Sequence, residues 1–207
     1  MTKKFVLTPL PMVSSMSVLA VTVTVMDSVI FRDADAFDAW LAVNHERPEG
    51  VWIRMAKKSS GIASLTEDEA VDVGLCWGWI SGQRTALDAE FYLQKYVPRR
   101  PGSFWSQVNV DKVAALTEAG RMRGPGLAQV AAARADGRWA AAYPSQANFT
   151  VPPDLAAALA DRPRALAAYE ALDRTRQYAI VLEVLRTKTP KTRASRVAKA
   201  VDALDHN

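Results

Sequence analysis

The segment Pro144-Ser-Gln-Ala-Asn-Phe-Thr-Val-Pro152-Pro153 carries three prolines and no charge, and the chain changes character across it. Proline fixes φ and removes a backbone donor, so neither a helix interior nor a central strand runs through such a stretch. Beyond it only helical spacings occur: Leu155 with Leu159, then Leu166, Tyr169 and Leu172, then Tyr178, Val181, Leu182 and Leu185. Thr189-Pro190 reads as a cap and first-turn proline opening a last helix, with Ala194, Val197, Val201 and Leu204 along one side. No repeat of fixed period and no long heptad run is present.

Before the prolines, periods of two and of three to four are mixed. Asp33 or Asp35 caps a first helix bearing Phe37, Trp40 and Leu41, which ends near Asn44. After the Pro48-Gly50 turn, Val51, Ile53 and Met55 alternate with Trp52 and Arg54 as a strand, and 57–64 reads as a loop. Thr66 and Glu69 form a capping-box pattern ahead of Ala70, Val73 and Trp77, and Gly78 stops that helix. Residues 79–97 read as a hairpin turning through 87–90. Asn109 then caps a helix with Val110, Val113 and Leu116 that Gly120 closes, and a further helix after Pro125 turns Leu127, Val130 and Ala131 inward. The expectation is an α+β fold: a small antiparallel sheet packed by helices, followed by a helical C-terminal unit. Its boundaries fall at 1–28 for an N-terminal extension, 29–143 for the α+β domain, 144–153 for a linker and 154–207 for the helical region.

Residues 5–26 carry no charge and follow Lys3 and Lys4, with Val18 and Ala20 as small residues before a cleavage point, as in a secretory signal. Only 14 of these 22 residues are apolar, and Pro9 and Pro11 interrupt the run, so it is a poor membrane span. Val21, Val23 and Val25 alternate with Thr22 and Thr24, which suits a strand or extended arm, and Met26 is a second candidate start. An extension or arm and a cytoplasmic protein without a stable membrane span are expected.

The composition excludes whole classes of chemistry. One cysteine, Cys76, rules out an internal disulfide and a multi-cysteine metal site, and two histidines, His45 and His206, leave little for a histidine-rich one. Neither a Gly-x-Ser-x-Gly turn nor a Walker-type glycine loop occurs. Cys76, beside Trp77, reads as a buried inert thiol, and Glu67 and Glu69 as first-turn carboxylates. No cofactor and no metal are expected.

The net charge of +4 is unevenly spread. Residues 1–108 hold 11 Lys/Arg against 12 Asp/Glu, whereas 109–207 hold 15 against 10. A basic excess favours anionic partners. The densest polar signal is Val97-Pro-Arg-Arg-Pro-Gly-Ser-Phe-Trp-Ser-Gln-Val-Asn109, where Arg99 and Arg100 stand between prolines and Ser103, Trp105, Ser106 and Asn109 follow at a helix start. Guanidinium forks and free backbone N–H groups there can cradle an anion, with Trp79, Ser81 and Arg84 of the hairpin completing a pocket. The competing reading makes Trp105 a core anchor, Asn109 a cap and the arginines a solvated turn. A second cluster comprises Arg186, Lys188, Lys191, Arg193, Arg196 and Lys199, with no acid between Arg186 and Val201. Without interleaved aromatics it reads either as a solvated helical face or as a surface for an anionic partner, nucleic acid being a weak one.

Several of these segments together resemble one family. Phe37-x-x-Trp40-Leu41, Leu75-Cys-Trp-Gly-Trp-Ile-Ser-Gly82, Pro98-Arg-Arg-Pro-Gly-Ser-x-Trp-Ser106 with Asn109, Gly120-Arg-Met122, Asp136-Gly-Arg-Trp139 and Lys191-Thr-Arg-x-x-Arg196 appear in the order of the YdeI or OmpD-associated family, also labelled bacteriocin-protection proteins. The resemblance spans about 29–205 and implies a bacterial stress or protection protein with no established reaction. A net charge of +4 repels a cationic bacteriocin at long range, so an anionic small molecule or phosphorylated ligand is the partner the charge fits. Non-catalytic binding is the leading expectation. An enzyme acting on a small phosphorylated or carboxylated substrate and a weak nucleic-acid-associated protein are its alternatives.

Overall fold

The computed structural model describes residues 28–206, and the expectations for a signal, arm or second start before Asp27 lie outside the described residues. Strands β1 (Ser28–Val29), β2 (Val51–Ala56), β3 (Trp79–Ala86) and β4 (Phe91–Pro98) form one sheet in the order β1-β2-β4-β3. β1 runs parallel to β2, a short pairing that no alternation in the sequence announces, while β4 is antiparallel to both its neighbours. Along β2 the side chains alternate as expected, with Val51, Ile53 and Met55 buried and Trp52, Arg54 and Ala56 on the other face. Helices α1 (Ala34–Asn44) and α2 (Glu67–Cys76) cover the first face, packing Phe37, Leu41 and Val73 on Ile53, Met55, Trp79 and Tyr96. Each such side chain removed from water contributes about 1.5–3 kcal/mol as an upper estimate.

Local chemistry fixes where these helices begin. Asp33 accepts from the Ala36 N–H at 2.9 Å, and Thr66 and Glu69 close a reciprocal capping box on α2. The 57–64 loop holds one turn of 3-10 helix, Lys58–Ser60. Gly78, at φ +74°, ends the α2 segment, where a Cβ would meet the Pro125 carbonyl at 2.9 Å. Helix α3 (Gln107–Glu118) is capped by Ser106 rather than Asn109, because the Ser106 hydroxyl accepts from the Asn109 N–H at 3.2 Å and places Asn109 inside the first turn. Helix α4 (Gly124–Ala135) corrects a second expectation: Gly126, Val130 and Ala133 face inward, and Leu127 and Ala131 are exposed. Gly126 sets that rotation, since a Cβ on it would lie 2.2 Å from the Cys76 carbonyl, so only glycine lets α4 close on the end of α2. α2, α3 and α4 share a core of Leu75, Cys76, Trp105, Val113, Leu116, Val130 and Ala133.

Helices α5 (Pro153–Ala160), α6 (Pro163–Ala171), α7 (Arg174–Leu185) and α8 (Pro190–Asp205) enclose a separate core of Leu155, Leu159, Ala165, Tyr169, Val181, Val184, Val197, Val201 and Leu204. Thr189 caps α8 through the Thr192 N–H, with Pro190 at its start. Phe149 and Val151 also pack in this core, so the second half of the proline-rich segment is part of the helical unit. The first half is held to it by polar contacts: the Tyr178 hydroxyl donates to the Pro144 carbonyl at 2.9 Å, and Arg174 donates to the Gln146 and Ala147 carbonyls at 3.0 and 2.7 Å. The α+β architecture with a helical C-terminal part is therefore the one the sequence predicts.

Candidate functional site

The two adjacent arginines have opposite fates. Arg100 points into solvent, whereas Arg99 is 4 % exposed. β4 is extended to its end, and successive side chains of an extended chain take opposite sides. The Arg99 guanidinium lies 3.7 Å from the Trp105 ring centroid, and one amino group donates to the Phe104 carbonyl at 3.1 Å. Its Nε and other amino group are buried and have no hydrogen-bond partner among the described residues. Among the described residues no carboxylate lies within ion-pair distance of Arg99; burial lowers its pKa to about 10, and nearby Arg138 pushes in the same direction. Arg138 donates to the Ser103 carbonyl at 2.9 Å and is neutralised by Asp136 at 2.7 Å, an ion pair that holds the Asp136 carboxyl below its usual range.

The turn after Arg99 meets the C-terminal basic cluster. Gly102, at φ +74°, sits so close to Lys188 that a Cβ would approach the ammonium to 3.0 Å, and this ammonium lies 5.7 Å from the Phe104 ring. Arg186, two residues earlier, stands 5.7 Å from the ring of Tyr143, whose backbone pairs with Trp105 and Gln107. A cleft of about 430 Å³ opens beside them, lined by Glu183, Arg186, Thr187, Lys188, Thr192 and Arg196. Arg196 is paired with Glu183 at 3.1 Å, while Arg100, Arg186 and Lys188 have no ion pair among the described residues. The turn after Arg99 thus packs, through Gly102 and Phe104, against Lys188 of the second basic segment.

The remaining expected residues are dispersed. Trp79 is a core residue, 1 % exposed, whose indole N–H donates to the His45 carbonyl at 2.8 Å, so its ring is not available as a pocket wall. Arg84 lies over the Tyr92 ring, bonds Gln94 on the neighbouring strand and pairs with Glu67 at the start of α2. Ser103 contributes its carbonyl to Arg138, Ser106 and Asn109 are engaged in the α3 cap, and Trp105 is a core anchor under Arg99. On α8, Arg193 forms a two-point pair with Asp154 at 2.6 and 2.8 Å and borders a different, more apolar groove. Lys191 and Lys199 are exposed. Arg138 and Tyr143 contact the two basic segments without having been singled out, although Asp136-Gly-Arg-Trp139 stood among the family motifs. Cys76 is buried with its thiol pKa pushed up by burial, which makes it a poor nucleophile.

The fold is an α+β unit joined to a small helical unit, with a basic cleft on the helical unit beside Lys188, which packs against the turn that follows Arg99. Residues 148–207 match the family described as bacteriocin-protection, YdeI or OmpD-associated. Residues 29–129 match a domain of unknown function, DUF8412. The chain matches no curated protein and no solved structure. The resemblance is thus borne out over the helical unit. Among the described residues, no helix is long and apolar enough to cross a membrane.

Proposed function

We propose that this is a cytoplasmic, non-catalytic stress or protection protein that binds a small phosphorylated or carboxylated anion at the surface shared by Arg100, Arg186 and Lys188. The observation that carries the reading is the buried Arg99 guanidinium just before the turn that packs on Lys188, charged at neutral pH and without a counter-ion among the described residues. An uncompensated buried cation costs several kcal/mol, and an anion arriving nearby offsets part of that cost. Exposed guanidinium and ammonium groups then supply charge-assisted hydrogen bonds to the ligand. Binding without turnover fits the lining, in which Glu183, the one carboxylate, is occupied by Arg196.

Thermal unfolding with pyrophosphate and with citrate tests this. A ligand at about 100 times its Kd adds about 2.7 kcal/mol, which for a chain of this size raises Tm by roughly 5–10 °C. Arg100→Ala combined with Lys188→Ala, both on the surface, is expected to unfold at the parental temperature and to lose the shift. A shift of equal size in that variant, or none from either anion in the parent, overturns the proposal.

A further inference from the structure

A small pocket of about 100 Å³ lies between α1, the end of α2 and the loop that joins α3 to α4. Val73 and Cys76 line it from the buried side, and two acids, Asp35 and Asp38, and two bases, Arg121 and Arg123, line it toward solvent. The two carboxylates stand three residues apart on α1, which puts them on one side of that helix. The loop that brings the arginines is fixed at both ends. Gly120, at φ +65°, ends α3 with its N–H on the Thr117 carbonyl and the Arg121 N–H on the Leu116 carbonyl at 2.9 Å. The Arg123 N–H then donates to the Cys76 carbonyl at 3.1 Å. Arg121 is the middle residue of Gly120-Arg-Met122, a motif to which the cleft at Lys188 gives no role.

The four charges balance, but not all are matched. Asp38 is fully engaged: one oxygen accepts from the Trp77 indole at 2.7 Å and the other pairs with Arg123 at 3.0 Å. Asp72, close by, is taken by Lys112 at 2.7 Å and reaches Arg121 only at 3.9 Å. Asp35 has no ion pair among the described residues. One exposed carboxylate and one exposed guanidinium thus stand without a close partner at a pocket whose inner side is apolar. We infer that the pocket binds a small α-amino acid as its zwitterion, the ammonium on Asp35, the carboxylate on Arg121 and the side chain toward Val73 and Cys76. An α-amino acid carries both charges on one carbon and so meets both groups within a small space. A lone anion meets Asp35 and Asp38 as like charges, and a lone cation meets Arg121 and Arg123. Volume limits the side chain: the pocket is smaller than the apolar cavity of about 150 Å³ that takes a benzene ring, which leaves room for glycine, alanine or serine and not for phenylalanine. This site is separate from the cleft at Lys188 and does not rest on it.

The test is saturation-transfer difference NMR of the full chain with glycine, L-alanine and L-phenylalanine, and with acetate and methylammonium as the two halves of the ligand, each titrated to a Kd. The expected result is that glycine and L-alanine bind, and that the other three bind at least about tenfold more weakly, each lacking either one charge-assisted hydrogen bond or the room. Asp35→Asn and Arg121→Gln, both at exposed positions, should each weaken L-alanine at least about tenfold, and Lys188→Ala should leave it unchanged. Circular dichroism and Tm of each variant establish that it is folded. Arg121→Lys keeps the charge and loses the fork, so its Kd should fall between those of the parent and Arg121→Gln, and it supplies the comparison if the glutamine variant is unfolded. No saturation transfer to either glycine or L-alanine overturns the inference. So does acetate, methylammonium or L-phenylalanine binding as tightly as L-alanine, or an unchanged Kd in either Asp35→Asn or Arg121→Gln. Loss of binding on Lys188→Ala moves the ligand to the other cleft, and equally overturns it.

Discussion

Arg99 is the residue at which burial and charge conflict most openly. Its neighbours are the Trp105 ring, the Phe104 carbonyl and a second arginine, and none carries a negative charge to match it. Arg99→Met keeps most of the length and drops the charge. In the absence of added anion we expect the urea midpoint to stay the same or rise, because replacing an unpaired buried charge by a well-packed apolar chain is neutral or favourable. A fall of more than about 1.5 kcal/mol would instead mark the Phe104 bond and the ring contact as net stabilising. Trp105→Ala removes the ring beneath Arg99 and an anchor of the α2–α4 core, and the expected cost is about 3–5 kcal/mol by the same measurement. The sequence marked the Arg99-Arg100 pair but not its division. The alternation of β4, carried one step further, was the signal available. The absence of a counter-ion depends on residues that fold in from elsewhere and was not legible.

At the scale of elements, the boundaries written in local chemistry were the legible ones: the Thr66–Glu69 capping box, Asp33, Thr189-Pro190 and the 87–90 turn each act within four residues. The rotation of α4 was not legible, because Leu127, Ala128, Val130, Ala131, Ala132 and Ala133 surround the helix with apolar groups and leave the spacing ambiguous. Contact of Gly126 with the α2 carbonyls decides it, and that is a tertiary fact. Ser106 and Asn109 are both good caps, and only the geometry of the Trp105–Tyr143 pairing chooses the first. Helices α5 and α8 are tied by Asp154 and Arg193. The hydrogen bond from Arg193 holds the Asp154 carboxyl below its ordinary 3.8. The folded pKa is the lower one, so this contribution is complete above about pH 4 and is lost as pH falls through the folded value. With Asp154 42 % exposed, the pair is worth at most about 1 kcal/mol. Asp154→Asn should lower the unfolding midpoint at pH 7 by that amount or less, with the gap from the parent closing toward pH 3. A gap that stays constant on acidification would mean the asparagine acts through something other than charge.

Over the whole molecule, all six tryptophans lie before Pro144, while the helical unit is lined by aliphatic side chains, Phe149 and tyrosines. Tryptophan emission therefore reports the α+β part, and far-UV circular dichroism weights the helices of both. The bonds from Tyr178 and Arg174 to residues 144–147 join the two parts, and we expect the two signals to give one coincident urea transition. Tyr178→Phe combined with Arg174→Ala removes three hydrogen bonds, each worth about 1 kcal/mol, and should separate the transitions. Coincidence that survives in the variant would locate the coupling in the Phe104–Lys188 and Tyr143–Arg186 contacts. The sheet order carries one more consequence, for the order of events on the ribosome. β4 is the last strand made, yet it lies between β2 and β3, and β2 has only the two-residue β1 beside it until then. Val51, Ile53 and Met55 must wait for residue 98 to emerge before the sheet can close around them, whereas α5 to α8 meet partners made shortly before or after. The nascent chain thus passes through a stage with an unpaired apolar strand, which is where a chaperone would find it and where a slowed ribosome would most reduce the yield of native protein.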